Sequence, residues 1–370
     1  MTLPIIFVSS HARPGGSERY LVTLLDQLGS DHVRDVVVLE EGPLVDKLRS
    51  SAQPVTVIPT SARRSSIVLS ALRLRRLVKH SRPALVHANG VKAALVTSIA
   101  LLGTDVPLVW LKHDVSRDGR AARWIASRCA RVVGVSEFVM QIFGNLDEDP
   151  RYTVVHTGFE PPAVDSTAAR RKVLALTGTD EPARIVGMVG RLDRYKGHRD
   201  LVEAASLILE QHPDTLFLLV GGDDAAHPDV RPALLELVEH KKVEEAVLFT
   251  DHRDDAIELM AGIDIGVIPS RVHPSGWGRE GFPMVGLEFL AVETPVVGYD
   301  AGGIPELIGD CGLLVPEGNL SALAKAICDL LDDDARRNEL ATCGRRRVET
   351  QFALESWKDS LRSIYRDVVP

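Results

Sequence analysis

Short apolar runs alternate along the whole chain with segments whose apolar positions recur at helical spacing. A run bounded by turn residues reads as a buried strand, and the 3.6-residue spacing between runs reads as a helix lying on the sheet. In the first half this predicts strands over 4–8, 35–39, 54–58, 84–87, 106–111, 131–135 and 152–155, with helices such as 17–28 and 91–102 between them. The pattern then begins again. Strands are predicted over 184–189, 215–220, 246–250, 264–268, 294–297 and 312–315, and helices over 197–210, 230–240, 255–262, 281–292 and 320–331. Such alternation is the mark of parallel sheets covered by helices. The expectation is an α/β chain of two Rossmann-like, doubly wound parallel-sheet domains facing across a cleft, with the strand C-terminal ends at the ligand.

Between the two series, Phe159-Glu-Pro-Pro-Ala-Val-Asp-Ser has the proline content of a linker and is the expected hinge. The first domain is placed at 1–160 and the second at 161–353. A last helical pattern, within 354–370, carries Trp357, Leu361, Ile364 and Tyr365 and is expected to cross back onto the first domain.

Composition supports this division. At 370 residues the chain exceeds one ordinary core, and 45% hydrophobic with 25% charged residues is a soluble globular balance. The apolar stretch between Lys92 and Lys112 is broken by Gly103, Asp105 and Pro107, so a helix followed by a strand is expected rather than a membrane span. The start of the chain has no basic n-region and too short an apolar run for a signal peptide. Cys129, Cys311, Cys328 and Cys343 show no metal-binding spacing and read as reduced, structural thiols of a cytoplasmic protein.

The net charge of −8 hides an asymmetry, because the first 160 residues are net basic and the remainder strongly acidic. An anionic partner for the first half follows, with no sign of nucleic-acid binding. The basic amphipathic segment 62–79, with Ile67, Ala71, Leu74 and Val78 on one face, has two readings. It is a surface helix with a solvated basic face, or a peripheral patch for an anionic membrane at its inner face or for a lipid-diphosphate acceptor.

Candidate chemistry lies in the turns. Glu280-Gly-Phe-Pro-Met-Val-Gly-Leu-Glu288 places two carboxylates eight positions apart around an expected helix start, where main-chain amides face an anion. Gly190-Arg-Leu-Asp-Arg-Tyr-Lys-Gly197 follows a strand, and Arg191 and Lys196 are expected to converge there on one diphosphate. Gly15 and Gly16 follow the first strand and let backbone approach a ligand, with Ser17 as the expected helix cap. Neither a G-x-G-x-x-G fingerprint nor a P-loop is present, which removes support for hydride transfer and ordinary nucleotide hydrolysis. Asp147-Glu-Asp149 and Asp332-Asp-Asp334 read as solvated acid clusters, and no metal or cofactor is expected.

These elements, in this order, resemble the family 4 retaining glycosyltransferases, which have the GT-B fold. The resemblance spans nearly the whole chain and rests on Gly15-Gly16, Gly190-Arg191 with Lys196-Gly197, Pro269-Ser270, Glu280 with Glu288, and Gly302-Gly303. It implies a donor-binding second domain and an acceptor-binding first domain. Glu280 would hold the donor sugar, with Phe282, Pro283, Met284 and Val285 facing sugar and phosphate. Glu288 would bind the ribose. Arg191 and Lys196, with the turns at Gly190, Gly15 and Gly16, would serve the nucleotide diphosphate, and Arg253 would lie near the base. His113, at a strand end, would stand near the reacting carbon, completing a catalytic set with Glu280, Arg191 and Lys196.

One departure matters. Pro283 stands where the family commonly has glycine, which removes one backbone donor while suiting the first helical turn.

The implied reaction is metal-independent transfer of a sugar, with retention, from a UDP or GDP donor to a hydroxyl of a glycan, glycolipid or small molecule. A sugar-nucleotide epimerase of the same fold and a non-catalytic nucleotide-sugar-binding subunit are the alternatives.

Overall fold

The computed structural model describes residues 3–13, 15–178, 184–272 and 280–369. The chain divides into two compact units, Met1–Gly158 with Leu354–Pro370, and Phe159–Ala353.

In the first unit β1 (Ile5–Ser9), β2 (Val33–Val38), β3 (Val55–Val57), β4 (Leu85–Asn89), β5 (Leu108–Lys112), β6 (Arg131–Gly134) and β7 (Tyr152–Val154) form one sheet. Its order is β3-β2-β1-β4-β5-β6-β7, and every pairing is parallel. The strands β1, β4 and β5 are buried along their whole length, which is why they read as unbroken apolar runs. The order reverses between β1 and β4, so their C-terminal ends open a crevice at Ser9, Ser10 and Asn89. The helix Leu354–Val368 belongs to this unit. Trp357 Nε1 donates to the Tyr20 hydroxyl at 2.9 Å, and the Tyr365 hydroxyl lies 2.9 Å from His87 Nδ1.

In the second unit β8 (Arg184–Val189), β9 (Thr215–Val220), β10 (Val247–Thr250), β11 (Ile265–Ile268), β12 (Val296–Tyr299) and β13 (Gly312–Val315) form a parallel sheet. Its order is β10-β9-β8-β11-β12-β13. The core on one side is aliphatic with Phe217 and Tyr299 fully buried, and each such side chain contributes about 1.5–3 kcal/mol on burial. Reversal between β8 and β11 sets the turn after β8 beside the loop after β11.

All thirteen expected strands are present, within two residues at either end. Several helices had no counterpart in the sequence reading, the two longest being Ser166–Thr177 and Asp334–Gln351. Ser166–Thr177 lies just past the supposed linker, where Asp165 caps it by accepting from the amides of Thr167 and Ala168. Asp334–Gln351 is capped by Asp333. Three further expectations are corrected. Cys311 and Cys343 are joined in a disulfide with their Cα atoms 5.2 Å apart, so only the buried Cys129 and Cys328 are free. Ser17 is not a cap: the helix Gly16–Leu28 begins on Gly15 with no side-chain cap. The helix expected from residue 281 runs Met284–Ala291, with Pro283 as its extended N-cap.

Candidate active site

The turn Gly190–Gly197 is shaped by contacts that only glycine allows. A Cβ on Gly197, whose φ is +86°, would stand 1.9 Å from the carbonyl oxygen of Pro269. A Cβ on Gly221 would meet the Gly190 carbonyl at the same distance. The Arg271 amide donates to the Tyr195 carbonyl at 2.7 Å, fastening the turn after β8 to the loop after β11.

Lys196 and Glu280 meet across this junction. Lys196 Nζ donates to Glu280 Oε1 at 2.5 Å, and Ser270 Oγ donates to the same oxygen at 3.0 Å. Glu280 is held from behind as well, because its carbonyl accepts from the Gly303 amide at 2.8 Å. There is no room for a larger residue on that side. A Cβ on Gly302 would lie 2.5 Å from the Glu280 carbonyl oxygen, and one on Gly303 would lie 1.9 Å from that of Gly281. The Gly302-Gly303 pair thus seats the loop carrying Glu280. Beyond it, Phe282 packs edge-on against Phe352 at 5.2 Å. The helix Met284–Ala291 presents its first-turn amides of Met284 and Val285, which a helix leaves without internal acceptors. Glu288 is buried in the last half of that helix, 6% exposed.

Arg191 and Lys196 do not share one partner in this state. Arg191 pairs with Asp224 at 3.2 Å and is half exposed, whereas Lys196 pairs with Glu280. Each cation is held by a different carboxylate. Arg253 is likewise engaged: its guanidinium forks onto Asp255 with two bonds of 2.8 Å. Asp193, Asp224 and His227 bring one potential ligand atom each within 4.8 Å of one another. Of these, Asp224 is already engaged by Arg191 and the Ala226 amide, and Asp193 by the Tyr195 amide. His198, just after the turn, is buried. Burial, aided by the Lys196 charge, depresses its pKa to about 4, which keeps the ring neutral.

A second layer escaped the sequence reading. Asp200 is buried in the first turn of the helix His198–Leu209, and its Oδ2 accepts from the Tyr299 hydroxyl at 2.6 Å and from Arg271 Nε at 2.5 Å. This carboxylate therefore fixes the residue that follows Ser270. Burial and the neighbouring Asp200 both push the Tyr299 phenol up, so it stays protonated as the donor.

The first unit gathers its own polar cluster at the sheet switch point. His113 Nε2 lies 2.7 Å from Asn89 Oδ1, while Asn89 Nδ2 donates to the Ser17 carbonyl at 3.0 Å. The Tyr20 ring packs edge-on against His113 at 5.1 Å. Burial depresses His113 to about 4, Asp114 opposing, so the imidazole is neutral and Nε2 donates to the amide oxygen. Glu18 is buried beside Gly15, and a Cβ there would stand 2.7 Å from Glu18 Oε2. Pro14 of the same motif lies outside the described residues. Asn89 and Asp200 carried no local signal, since each acts through partners distant in sequence; Glu18 meets its neighbours Ser17 and Gly15. Leu146–Glu148 form a 3₁₀ turn with Asp149 as its extended C-cap, and Asp149 is forked by Arg151.

Comparison with known proteins accords with this geometry. Residues 14–161 match the family model described as Glycosyltransferase Family 4, and residues 183–333 match that of Glycosyl transferases group 1. The capsular polysaccharide biosynthesis glycosyltransferase CapM of Staphylococcus aureus is 25% identical over 80% of each chain. A D-inositol 3-phosphate glycosyltransferase of Corynebacterium urealyticum is 30% identical over 57% of this chain and 48% of that one. In fold, the chain is similar to the crystal structure of Anabaena HepE in complex with UDP-glucose, with a TM-score of 0.85 and 23% identity over 99% of this chain and 100% of that one. Two parallel doubly wound sheets, the glycine-shaped turns and both family matches make this chain a member of the family 4 glycosyltransferases, with the GT-B fold.

Proposed function

We propose that the protein transfers a sugar from a nucleoside-diphosphate donor, UDP or GDP, to an acceptor hydroxyl, with retention and without a metal. The observation that carries this reading is the Lys196–Glu280–Ser270 contact, which sets a cation and a carboxylate side by side at the mouth of the helix Met284–Ala291. Glu280 Oε1 takes Lys196 and Ser270, and we assign Oε2 to hydroxyls of the donor sugar. Lys196 and Arg191 are assigned to the diphosphate, Arg191 leaving Asp224 to reach it. Glu288 is assigned to the ribose, and the Met284 and Val285 amides to phosphate or sugar oxygens.

In this scheme the acceptor oxygen bonds to the anomeric carbon on the face from which the diphosphate departs. The acceptor proton passes to a departing phosphate oxygen, and both bonding electrons leave with the diphosphate. Its growing charge is met by Arg191, Lys196 and the helix amides, fixed donors of the kind that stabilise a transition state. Pro283 contributes no amide, so the contacts to the sugar differ from those of relatives with glycine there. His113, neutral and oriented by Asn89, is assigned to the acceptor side.

Support for the donor class comes from the Anabaena HepE complex with UDP-glucose, which shares the fold. A thermal-shift screen of UDP- and GDP-sugars tests it first, since a ligand at 100 times its Kd adds about 2.7 kcal/mol. Transfer with the selected donor, followed by NMR of the product's anomeric proton, tests the rest. No stabilisation by any nucleotide sugar, or an inverted product, would reject the respective part. Conversion of the donor sugar with no acceptor present would favour an epimerase.

A further inference from the structure

Five of the seven large hydrophobic side chains that stand exposed among the described residues lie on one region of the first unit: Val68, Leu69, Leu72, Leu102 and Trp124. They are carried by three helices, Arg64–Ser81, Val91–Ala100 with the turn after it, and Arg120–Ala126. These pack in a row, the first against the second and the second against the third. In Arg64–Ser81 the buried stripe is Ser70, Ala71, Leu74 and Val78. The outward stripe is apolar in its first half and basic in its second, where Arg73, Arg76 and Lys79 are exposed. Val68, Leu69 and Leu72 are each about half exposed, at 49%, 51% and 51%. Arg75 reaches from this helix to the carbonyls of Ala100 and Leu102, which sets Leu102 alongside. On the third helix Trp124 is 40% exposed, with the Arg128 guanidinium over its ring at 5.8 Å.

Charge tells which partner fits. Between Asp46 and Asp105 the sequence has no Asp or Glu, yet it has ten Lys and Arg. Around Trp124, Arg117, Arg120, Arg123 and Arg128 are exposed, and the nearby Asp118 is held by the buried Lys112 at 2.9 Å. Exposed leucines beside guanidinium groups, in a stretch without carboxylates, form a contact face rather than a plain solvated one. Apolar tips among guanidinium groups match a surface that is anionic outside and apolar beneath.

We propose that this three-helix face docks on an anionic lipid bilayer, with Val68, Leu69, Leu72 and Trp124 entering the headgroup region and the flanking arginines on lipid phosphates. Among the described residues no helix is long and apolar enough to cross a membrane, and the proposed contact is peripheral. The inference does not depend on the donor chemistry above.

Flotation of the full chain with vesicles of equal phosphatidylglycerol and phosphatidylcholine, against phosphatidylcholine alone, is the test. Binding is expected only to the anionic vesicles and is expected to weaken with salt. A blue shift of tryptophan emission should accompany it and vanish in Trp124→Phe. Arg73→Glu with Arg76→Glu, and separately Leu69→Ser with Leu72→Ser, should each weaken binding at least about tenfold while the melting temperature holds. No flotation of the parent chain, or equal binding to neutral vesicles, would overturn the proposal. Binding unchanged by the leucine variants would overturn the insertion. So would a concentration-dependent dimer that those variants abolish, because the face would then be an interface between copies.

Discussion

Lys196 Nζ stands 2.5 Å from Glu280 Oε1 across a sequence separation of 84 residues. The two side chains are partly open, 31% and 16% exposed, so their mutual attraction adds only ~0–1 kcal/mol to folding. The pair matters for what it positions. Under the proposed function, Glu280→Ala should lower kcat by roughly 10²–10³-fold, the scale of a lost preorganised group, while shifting Tm by no more than about 2–4 °C. Lys196→Ala should raise the donor KM and lower kcat together. Steady-state kinetics beside melting curves decides this, and near-parental turnover in either variant would remove that residue from the scheme.

Gly303 separates packing from backbone strain. Its φ is an ordinary −87°, so alanine is conformationally acceptable there. The added Cβ, however, would press on the Gly281 carbonyl at 1.9 Å and move the loop that carries Glu280. Gly303→Ala should therefore cost about 1–3 kcal/mol, as overpacking does, and abolish stabilisation by the nucleotide sugar. Gly178→Ala is the control. Its φ is +69° with nothing within 4 Å, so it should lose about 1 kcal/mol from strain and keep the ligand response.

The strands were legible because a strand buried on both faces must be apolar throughout. Arg184–Val189 and Thr215–Val220 begin and end where their runs do, and so does the part-buried edge strand Gly312–Val315. The helix Asp334–Gln351 was not legible, since the positions it buries include Arg337 and Gly344 beside Leu340 and Val348, and that stripe does not read as apolar. At the site, Lys196 and Glu280 were legible through local motifs, but their pairing was not. Nor could spacing reveal Asp200, whose partners Arg271 and Tyr299 lie 71 and 99 residues away. The Arg191–Asp224 pair shows the same limit: a sequence gives a cation its neighbours in the turn, and the fold gives it the carboxylate it meets.

The Cys311–Cys343 bridge closes a loop with a sequence separation of 32. On the chain-entropy account, a loop of that size restricts the unfolded chain by about 3–4 kcal/mol. Cys311→Ser with Cys343→Ser, or reduction of the parent protein, should lower Tm by several degrees. The bridge joins the segment just after the helix Ile304–Ile308 to the helix Asp334–Gln351, and neither cysteine is a proposed ligand group, so donor binding at temperatures well below Tm should persist. Calorimetry with and without a reductant checks it, and an unchanged Tm after verified reduction would contradict it.

Three histidines, His87 and His198 buried and His113 part-buried, set the acid limit. Burial depresses His87 to about 3 and His113 and His198 to about 4, whereas an unfolded histidine titrates near ~6.5. Between those values the unfolded chain binds more protons than the folded one, so stability rises with pH there. Their contribution is thus complete above about pH 6.5 and drains away as the pH falls toward the folded values. Glu18 and Asp35, raised by burial, act in the opposite sense, so the histidine effect is isolated by difference. Tm should be nearly level above roughly pH 7 and should fall from about pH 6.5 toward pH 4. His113→Gln leaves an amide able to donate to Asn89 and removes one of the three titrating rings, so the acid-side slope should drop by about a third. The same fall in both proteins would mean that His113 is not held neutral by its site, and its assignment beside Asn89 would fail with it.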